Sequence, residues 1–241
     1  MFWLAGPSDL HGHHFAGLLQ NIYSGKMKKT DVGLINNTEM TEEKKKLFQG
    51  LTYPVAFVML LWTIKIIEIS FQVSFVKYGI FPRTISGLIG IITAPLVHAD
   101  FNHLISNSLP LFLLGLGISY SYPTTSKKLF LGVYILHGLL VWIIARQAYH
   151  IGASGLVYGF VSFLFFSGII RRDNRSIALA LIVTFLYGGL TWGVLPIKAE
   201  ISWEAHLFGS IIGIMFAFIF RKSDPAPKYD WEDEDINQES E

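Results

Sequence analysis

Six stretches, at about 54–75, 101–121, 128–146, 152–170, 176–195 and 202–220, are each close to 20 residues of mostly apolar side chains. A helix that crosses the hydrocarbon of a bilayer needs about 20 such residues. Lipid offers no hydrogen bonds, so backbone polar groups there must pair within the protein, which restricts a spanning chain to helices or closed barrels. The stretches are twice the length of a barrel strand. The chain therefore reads as an all-α polytopic membrane protein, one six-helix bundle. Charged residues make up 15% of it, against about 25% in soluble domains.

Lys and Arg placement predicts orientation. One side carries Lys44, Lys45, Lys46, Lys127, Lys128, Arg171, Arg172, Arg175, Arg221 and Lys222; the other has Lys77, Arg83, Arg146 and Lys198. Ten against four puts both termini in the cytoplasm, and segments two, four and six then run from outside to inside. With a net charge of +1, nothing points to nucleic acid. The chain has no cysteine, which excludes disulfides, thiolate metal sites and a cysteine nucleophile.

Three parts follow: a cytoplasmic N-terminal segment at 1–50, the six-helix domain at 51–222, and an acidic tail at 223–241 expected to be disordered. Residues 1–39 have no sustained helical pattern, and HGHH at 11–14 is only a weak metal signal. Met40 or Met27 is expected to be the natural start, with Thr41 opening the first helix. The connection at about 76–100, KYGIFPRTISGLIGIITAPLVHAD from 77 on, is apolar but broken by Pro82, Gly87, Gly90 and Pro95. It is expected to be an interfacial or re-entrant element on the outer face. Lys65 and Glu68 lie three apart in segment one, spaced to pair on a helix; the lysine is expected to snorkel partly, in a structural role.

Polar groups collect in the three segments that run inward. HADFNHLISN opens segment two with His98, His103 and Asn107; GASGLVYG opens segment four with Ser154 and Tyr158; SWEAHLFG opens segment six with His206. All lie in the first third of their segments. At ~1.5 Å per residue they form one layer roughly 5–12 Å below the outer surface. Unpartnered, such groups cost about 1–3 kcal/mol each, so they should meet one another or water. Gly155 and Gly159 are four apart, as are Gly209 and Gly213. Small-xxx-small faces let helix backbones approach closely, and if these two faces meet, Ser154 and His206 share one end of one interface. Tyr158, on the Ser154 face, could then pack on the His206 imidazole.

Taken singly, each signal has a plain alternative. GxSG can be only a packing face, and Asn107 only helix glue. His150 is a rival base four residues before Ser154, but it precedes the helix. His137, in mid-segment and at a different depth, reads as structural. Pro110 should kink segment two and free a carbonyl that Ser106 helps to satisfy.

Together the pieces resemble the rhomboid family of intramembrane serine proteases. GASG at 152–155 is similar to that family's GxSG nucleophile motif. AHLFGSIIG at 205–213 is similar to its sixth-helix motif, a histidine with glycines at +3 and +7. HADFNHLISN at 98–107 is similar to its second-helix His, His and Asn. The resemblance spans about 54–221. It implies a six-transmembrane-helix rhomboid-like bundle in a cell membrane. It implies Ser154 as nucleophile and His206 as general base, with Asn107 and His103 stabilising the oxyanion. His98, Tyr158, Gly152, Gly155, Gly209 and Gly213 would support them. The Trp–Arg pair often found in the family's first loop is absent; FPR at 81–83 stands in its place.

The chemistry of the residues agrees with this. A serine needs an adjacent base to attack an amide. No carboxylate sits at a matching depth, and Glu204 lies on another helix face, so a Ser–His dyad is expected, with Tyr158 positioning the ring. Such an enzyme needs no metal and no cofactor. Its partners would be transmembrane protein substrates and the lipid bilayer. The alternatives are a catalytically inactive rhomboid-like protein that binds membrane proteins, a haem or metal protein using the histidines, and a transporter using Lys65 and Glu68.

Overall fold

The computed structural model describes residues 29–197 and 201–226. HGHH at 11–14, Met27, Lys198 and the tail from 227 onward lie outside the described residues. Six principal helices follow one another: α1 Lys29–Ser70, α2 Phe101–Ser121, α3 Pro123–Ile144, α4 Ser154–Arg171, α5 Asn174–Tyr187 and α6 Trp203–Ile219. Five apolar helical stretches are long enough to cross a membrane: Leu47–Ser70, Phe101–Ser121, Pro123–Ile144, Ser154–Arg171 and Asn174–Val194. α6, at 17 residues, is shorter and sits at the low edge of the spanning range. This is a multi-pass helical membrane protein.

α1 extends further back than its sequence suggests. It is already helical at Lys29, so Thr41 lies inside a helix rather than at its start, and the helix runs unbroken across residue 50. Glu42, Glu43, Lys44 and Lys45 favour helix after Thr41, whereas the stretch before it is helical despite Gly33, Asn36 and Asn37. The fifth stretch is interrupted instead. α5 ends at Tyr187, and Gly188–Val194 continues as a 3-10 helix.

Helix starts follow local chemistry. The Asp100 carboxylate accepts the His103 N–H at 2.8 Å and caps α2, and Asp173 accepts the Ser176 N–H at 2.9 Å and caps α5. Pro123 opens α3, where a missing N–H costs nothing. α2 carries Pro110 in its interior. The Ser106 hydroxyl, however, donates to the His103 carbonyl at 2.9 Å, not to the carbonyl that the proline leaves without a donor.

α4 is the central helix: 56% of its apolar stretch is buried, against 11% for Asn174–Val194. Its Leu156, Phe160, Phe163 and Leu164 pack with Leu104, Leu111 and Leu114 of α2 and Leu129 and Val133 of α3. Large apolar side chains, such as Leu181 and Phe185 of α5, are exposed on the outside of the bundle, as a surface that meets lipid requires. α4 and α6 cross at glycines. A Cβ built on Gly209 would stand 2.1 Å from the Gly155 carbonyl oxygen, and one on Gly213 would stand 2.1 Å from that of Gly159. Only backbones without side chains approach this closely.

The connection between α1 and α2 is a chain of short helical turns, Val76–Tyr78, Ser86–Leu88, Gly90–Thr93 and Ala94–Leu96. Arg83 donates to the Ala145 carbonyl at 2.7 Å and the Ile143 carbonyl at 3.3 Å, closing the C-terminus of α3. The Trp142 indole returns a bond to the Thr84 carbonyl at 2.8 Å. Lys65 does not snorkel. Buried, it donates to Glu68 at 2.8 Å and to the carbonyls of His98 at 3.0 Å and Ala99 at 2.9 Å, while Glu68 accepts the Phe75 N–H at 2.7 Å. The pair thus fixes both ends of the connection, including the residues that lead into α2.

At the opposite end of the bundle, the first residues of the expected tail belong to the fold. Asp224 accepts from the Thr124 N–H at 2.8 Å, the Thr125 N–H at 3.1 Å and the Thr125 hydroxyl at 2.6 Å. Its own carbonyl accepts from Arg171 at 2.6 Å and Arg175 at 2.5 Å. One residue after α6 therefore bonds the start of α3, the end of α4 and the start of α5.

Candidate functional site

Ser154 is the first residue of α4, and the loop before it is held from two sides. Ile80 and His150 exchange backbone bonds at 2.9 Å each way, and the Gly152 N–H donates to the Ala94 carbonyl at 2.9 Å. Gly152 has φ +101°, and a Cβ there would lie 2.6 Å from the His103 ring. Both the backbone angle and the contact require glycine. The Ala153 N–H points to His98 Nε2 at 3.4 Å, and the His98 ring packs edge-on against His103 with centroids 5.0 Å apart. His98 thus joins α1, through its carbonyl, to α2 and to the loop that presents Ser154.

The Ser154 hydroxyl lies 2.7 Å from His206 Nε2. His206 Nδ1 lies 2.8 Å from the Gly193 carbonyl oxygen. A carbonyl only accepts, so Nδ1 carries the hydrogen, and Nε2 presents its lone pair to the serine O–H. Tyr158 stacks on the imidazole with centroids 4.1 Å apart and planes 6° apart. The ring is therefore held by a stack on one face and a bond at its edge. His206 itself is buried.

Glu204 does not reach His206. Its Oε1 lies 3.6 Å from the Arg146 guanidinium and 3.4 Å from the Arg146 N–H. The place a carboxylate takes in a Ser-His-Asp triad belongs here to the backbone of Gly193. Sequence reasoning missed this residue. The glycines of GGLTWG, at 188–193, fell inside a stretch read as one span, and residue identity does not say where a backbone carbonyl will point.

His103 and Asn107 both belong to α2. The His103 ring lies against Gly152, two residues from Ser154. Asn107 is buried in line with Leu104 and Leu111, and its amide donates to the His103 carbonyl at 2.8 Å. A side-chain amide has two N–H donors, so one remains for a ligand. α4 supplies donors as well. Its first intrahelical bonds run from Leu156 and Val157 to the Ala153 carbonyl, so the Ser154 and Gly155 amides precede the helical ladder at the positive end of the helix dipole.

Two histidines stand elsewhere than expected or do other work. His137 is not remote in depth. A Cβ on Gly155 would lie 2.4 Å from its ring, so the imidazole fills the room beside the residue next to Ser154. Its Nδ1 bonds the Val133 carbonyl at 2.5 Å. His150 is bound to the Ser202 hydroxyl at 2.5 Å and the Arg146 carbonyl at 3.0 Å, which leaves it a structural tie to the start of α6.

Burial, with the neighbouring His103, lowers His98 from 6.5 to about 4. Burial also lowers His150, against the pull of the Arg146 carbonyl. Both are bases depressed in the folded state, so the unfolded chain binds more protons in that window and stability rises with pH across it. Acidification from pH 6.5 towards 4 is therefore expected to lower the melting temperature in detergent. His98→Gln should flatten that slope, and an unchanged slope would contradict the assignment.

Serine and imidazole thus meet at the head of a central membrane helix. The match to known proteins agrees with this fold. The rhomboid domain family matches residues 86–223. An uncharacterized protein of Mycobacterium tuberculosis (strain H37Rv) is 32% identical over 191 residues, covering 76% of this chain and 80% of that protein. A Bacillus subtilis protein, named provisionally as a rhomboid protease, is 29% identical over 136 residues, covering 54% of this chain and 65% of that protein. A mimivirus protein, named provisionally as a rhomboid protein, is 24% identical over 155 residues, covering 61% of this chain and 82% of its own. The chain belongs to the rhomboid family.

Proposed function

We propose that this protein is an intramembrane serine endopeptidase that cuts transmembrane proteins near the outer face of a cell membrane, with both termini in the cytoplasm. The observation that carries this reading is the 2.7 Å bond from Ser154 to His206 Nε2, with Nδ1 engaged by Gly193. His206 takes the serine proton as Oγ adds to the scissile carbonyl. The oxyanion forms at the head of α4, where the amides there, Asn107 and His103 stabilise it. The intermediate collapses, the C–N bond breaks, and His206 returns the proton to the leaving amine. Water, deprotonated by His206, then splits the acyl-enzyme into a free carboxylate and the serine.

A transmembrane helix has its peptide bonds internally paired, so the substrate must unwind before attack. Glycine and proline near the outer face lower that cost by roughly 1 and 3 kcal/mol per residue relative to alanine. Entry between α2 and α5 suits the sparse burial of α5. Ser154 and His206 together speak against an inactive binding protein.

The test is a fluorophosphonate probe applied to the detergent-solubilised protein. A covalent adduct mapped to Ser154, and lost in Ser154→Ala, is the expected result. A folded protein that takes no label and leaves transmembrane substrates uncut would overturn the proposal. Asn107→Ala is expected to lower kcat by about 10²–10³-fold with little change in KM, because a bond made to the oxyanion is absent in the ground state. A change in KM alone would remove Asn107 from the oxyanion role.

A further inference from the structure

Between α1, α2 and α3, with Phe160 of α4 as one wall and neither Ser154 nor His206 in the lining, lies a cavity of about 410 Å³. Its walls are apolar, built mainly by Phe57, Leu111, Ile118, Phe130 and Phe160. A second, more polar cavity of about 540 Å³ shares part of its lining, towards the end of the bundle. Tyr53, Ser119, Ser126 and Lys127 line both. Lys127 stands at the junction, with Nζ 4.8 Å over the Tyr53 ring.

An apolar slot leading into a polar chamber, with a cation at the junction, matches one ligand chemistry: a hydrocarbon chain joined to an anion. Water does not fill cavities lined by apolar groups, and the medium around these helices is lipid. The basic residues of this end include Lys127, Lys128, Arg171 and Arg175. Arg171 and Arg175 are taken up by Asp224 and by the Tyr122 ring, whereas Lys127 sits at the cavity. We propose that this is a binding site for one glycerophospholipid with an anionic headgroup, an acyl chain lying in the slot and the phosphate facing Lys127. The site is separate from the Ser154–His206 pair and does not depend on its chemistry.

Native mass spectrometry of the full-length protein tests it, with phosphatidylglycerol and phosphatidylcholine of the same acyl chains offered in equal amounts. Wild type is expected to retain phosphatidylglycerol about fivefold over phosphatidylcholine, the scale of one lysine near an anionic headgroup. Lys127→Met keeps the aliphatic stem and should level the two lipids. Ala56→Trp, at an exposed position lining the slot, should reduce retention of both. Melting in lipid-free detergent reports whether each variant folds. Equal retention of the two lipids by wild type, or phosphatidylglycerol retention that neither folded variant changes, would overturn the proposal. So would a full-length chain that retains no lipid, the result expected if a segment of the chain itself fills the slot.

Discussion

His206→Ala is expected to lower cleavage of a transmembrane substrate by at least about 10⁴-fold. Ser154→Ala should reach the same floor, and the double variant should go no lower. The reason is geometric. Ser154 and His206 share one hydrogen bond, and in the proposed mechanism neither does useful chemistry without the other, so their losses should not add. Alanine at 206 also removes the stack on Tyr158 and leaves the Gly193 carbonyl without its donor. That costs about 1–3 kcal/mol of stability, so melting must be followed beside cleavage. His206→Gln can keep a donor towards Gly193 but supplies no base. It should recover part of the stability and none of the activity. If the double variant falls far below each single one, the two residues do not act as a pair.

Gly209→Val is expected to destabilise the protein by about 1–3 kcal/mol, as overpacking does, and to cut turnover by roughly 10²-fold or more. The Cβ of any replacement would lie 2.1 Å from the Gly155 carbonyl oxygen, so α4 and α6 must separate. Gly155 follows Ser154, and Gly209 is one turn beyond His206. The separation therefore lands on the serine–imidazole distance, and a misplacement of about 1 Å costs on the order of 10²-fold. Gly117→Ala provides the contrast. A Cβ there meets nothing within 4 Å, and relief of glycine's backbone entropy should stabilise α2 by roughly 0.5–1 kcal/mol. Cleavage and melting measured on both variants decide it. A Gly209→Val protein with full activity would mean that the helix approach does not set the site.

Much of the fold was legible because the signals are local. A run of about 20 apolar residues is a length, and a length against a bilayer fixes a helix. Gly155, Gly159, Gly209 and Gly213 are a spacing of four, and on a helix that spacing is a face. The ends of elements were harder to read, for α1 begins by Lys29 and α5 stops at Tyr187. The first is helical through Gly33, Asn36 and Asn37, which carry no strong helix signal, and the second ends in glycines that composition alone counts as apolar.

What the sequence by itself determined is the helical membrane fold and the residues that meet: Ser154 with His206, Tyr158 on the imidazole, glycine against glycine. These follow from periodicity within a helix and from depth along it. The tertiary structure alone decided which groups hold them. The Gly193 carbonyl orients His206, His137 packs beside Gly155, Lys65 fastens the peptides at His98 and Ala99, and Asp224 ties three helix ends together. A backbone carbonyl leaves no trace in residue identity, and a side chain's partner 33 residues away, as for Lys65 and His98, depends on how helices rotate and how loops return. That information exists only once the chain has packed.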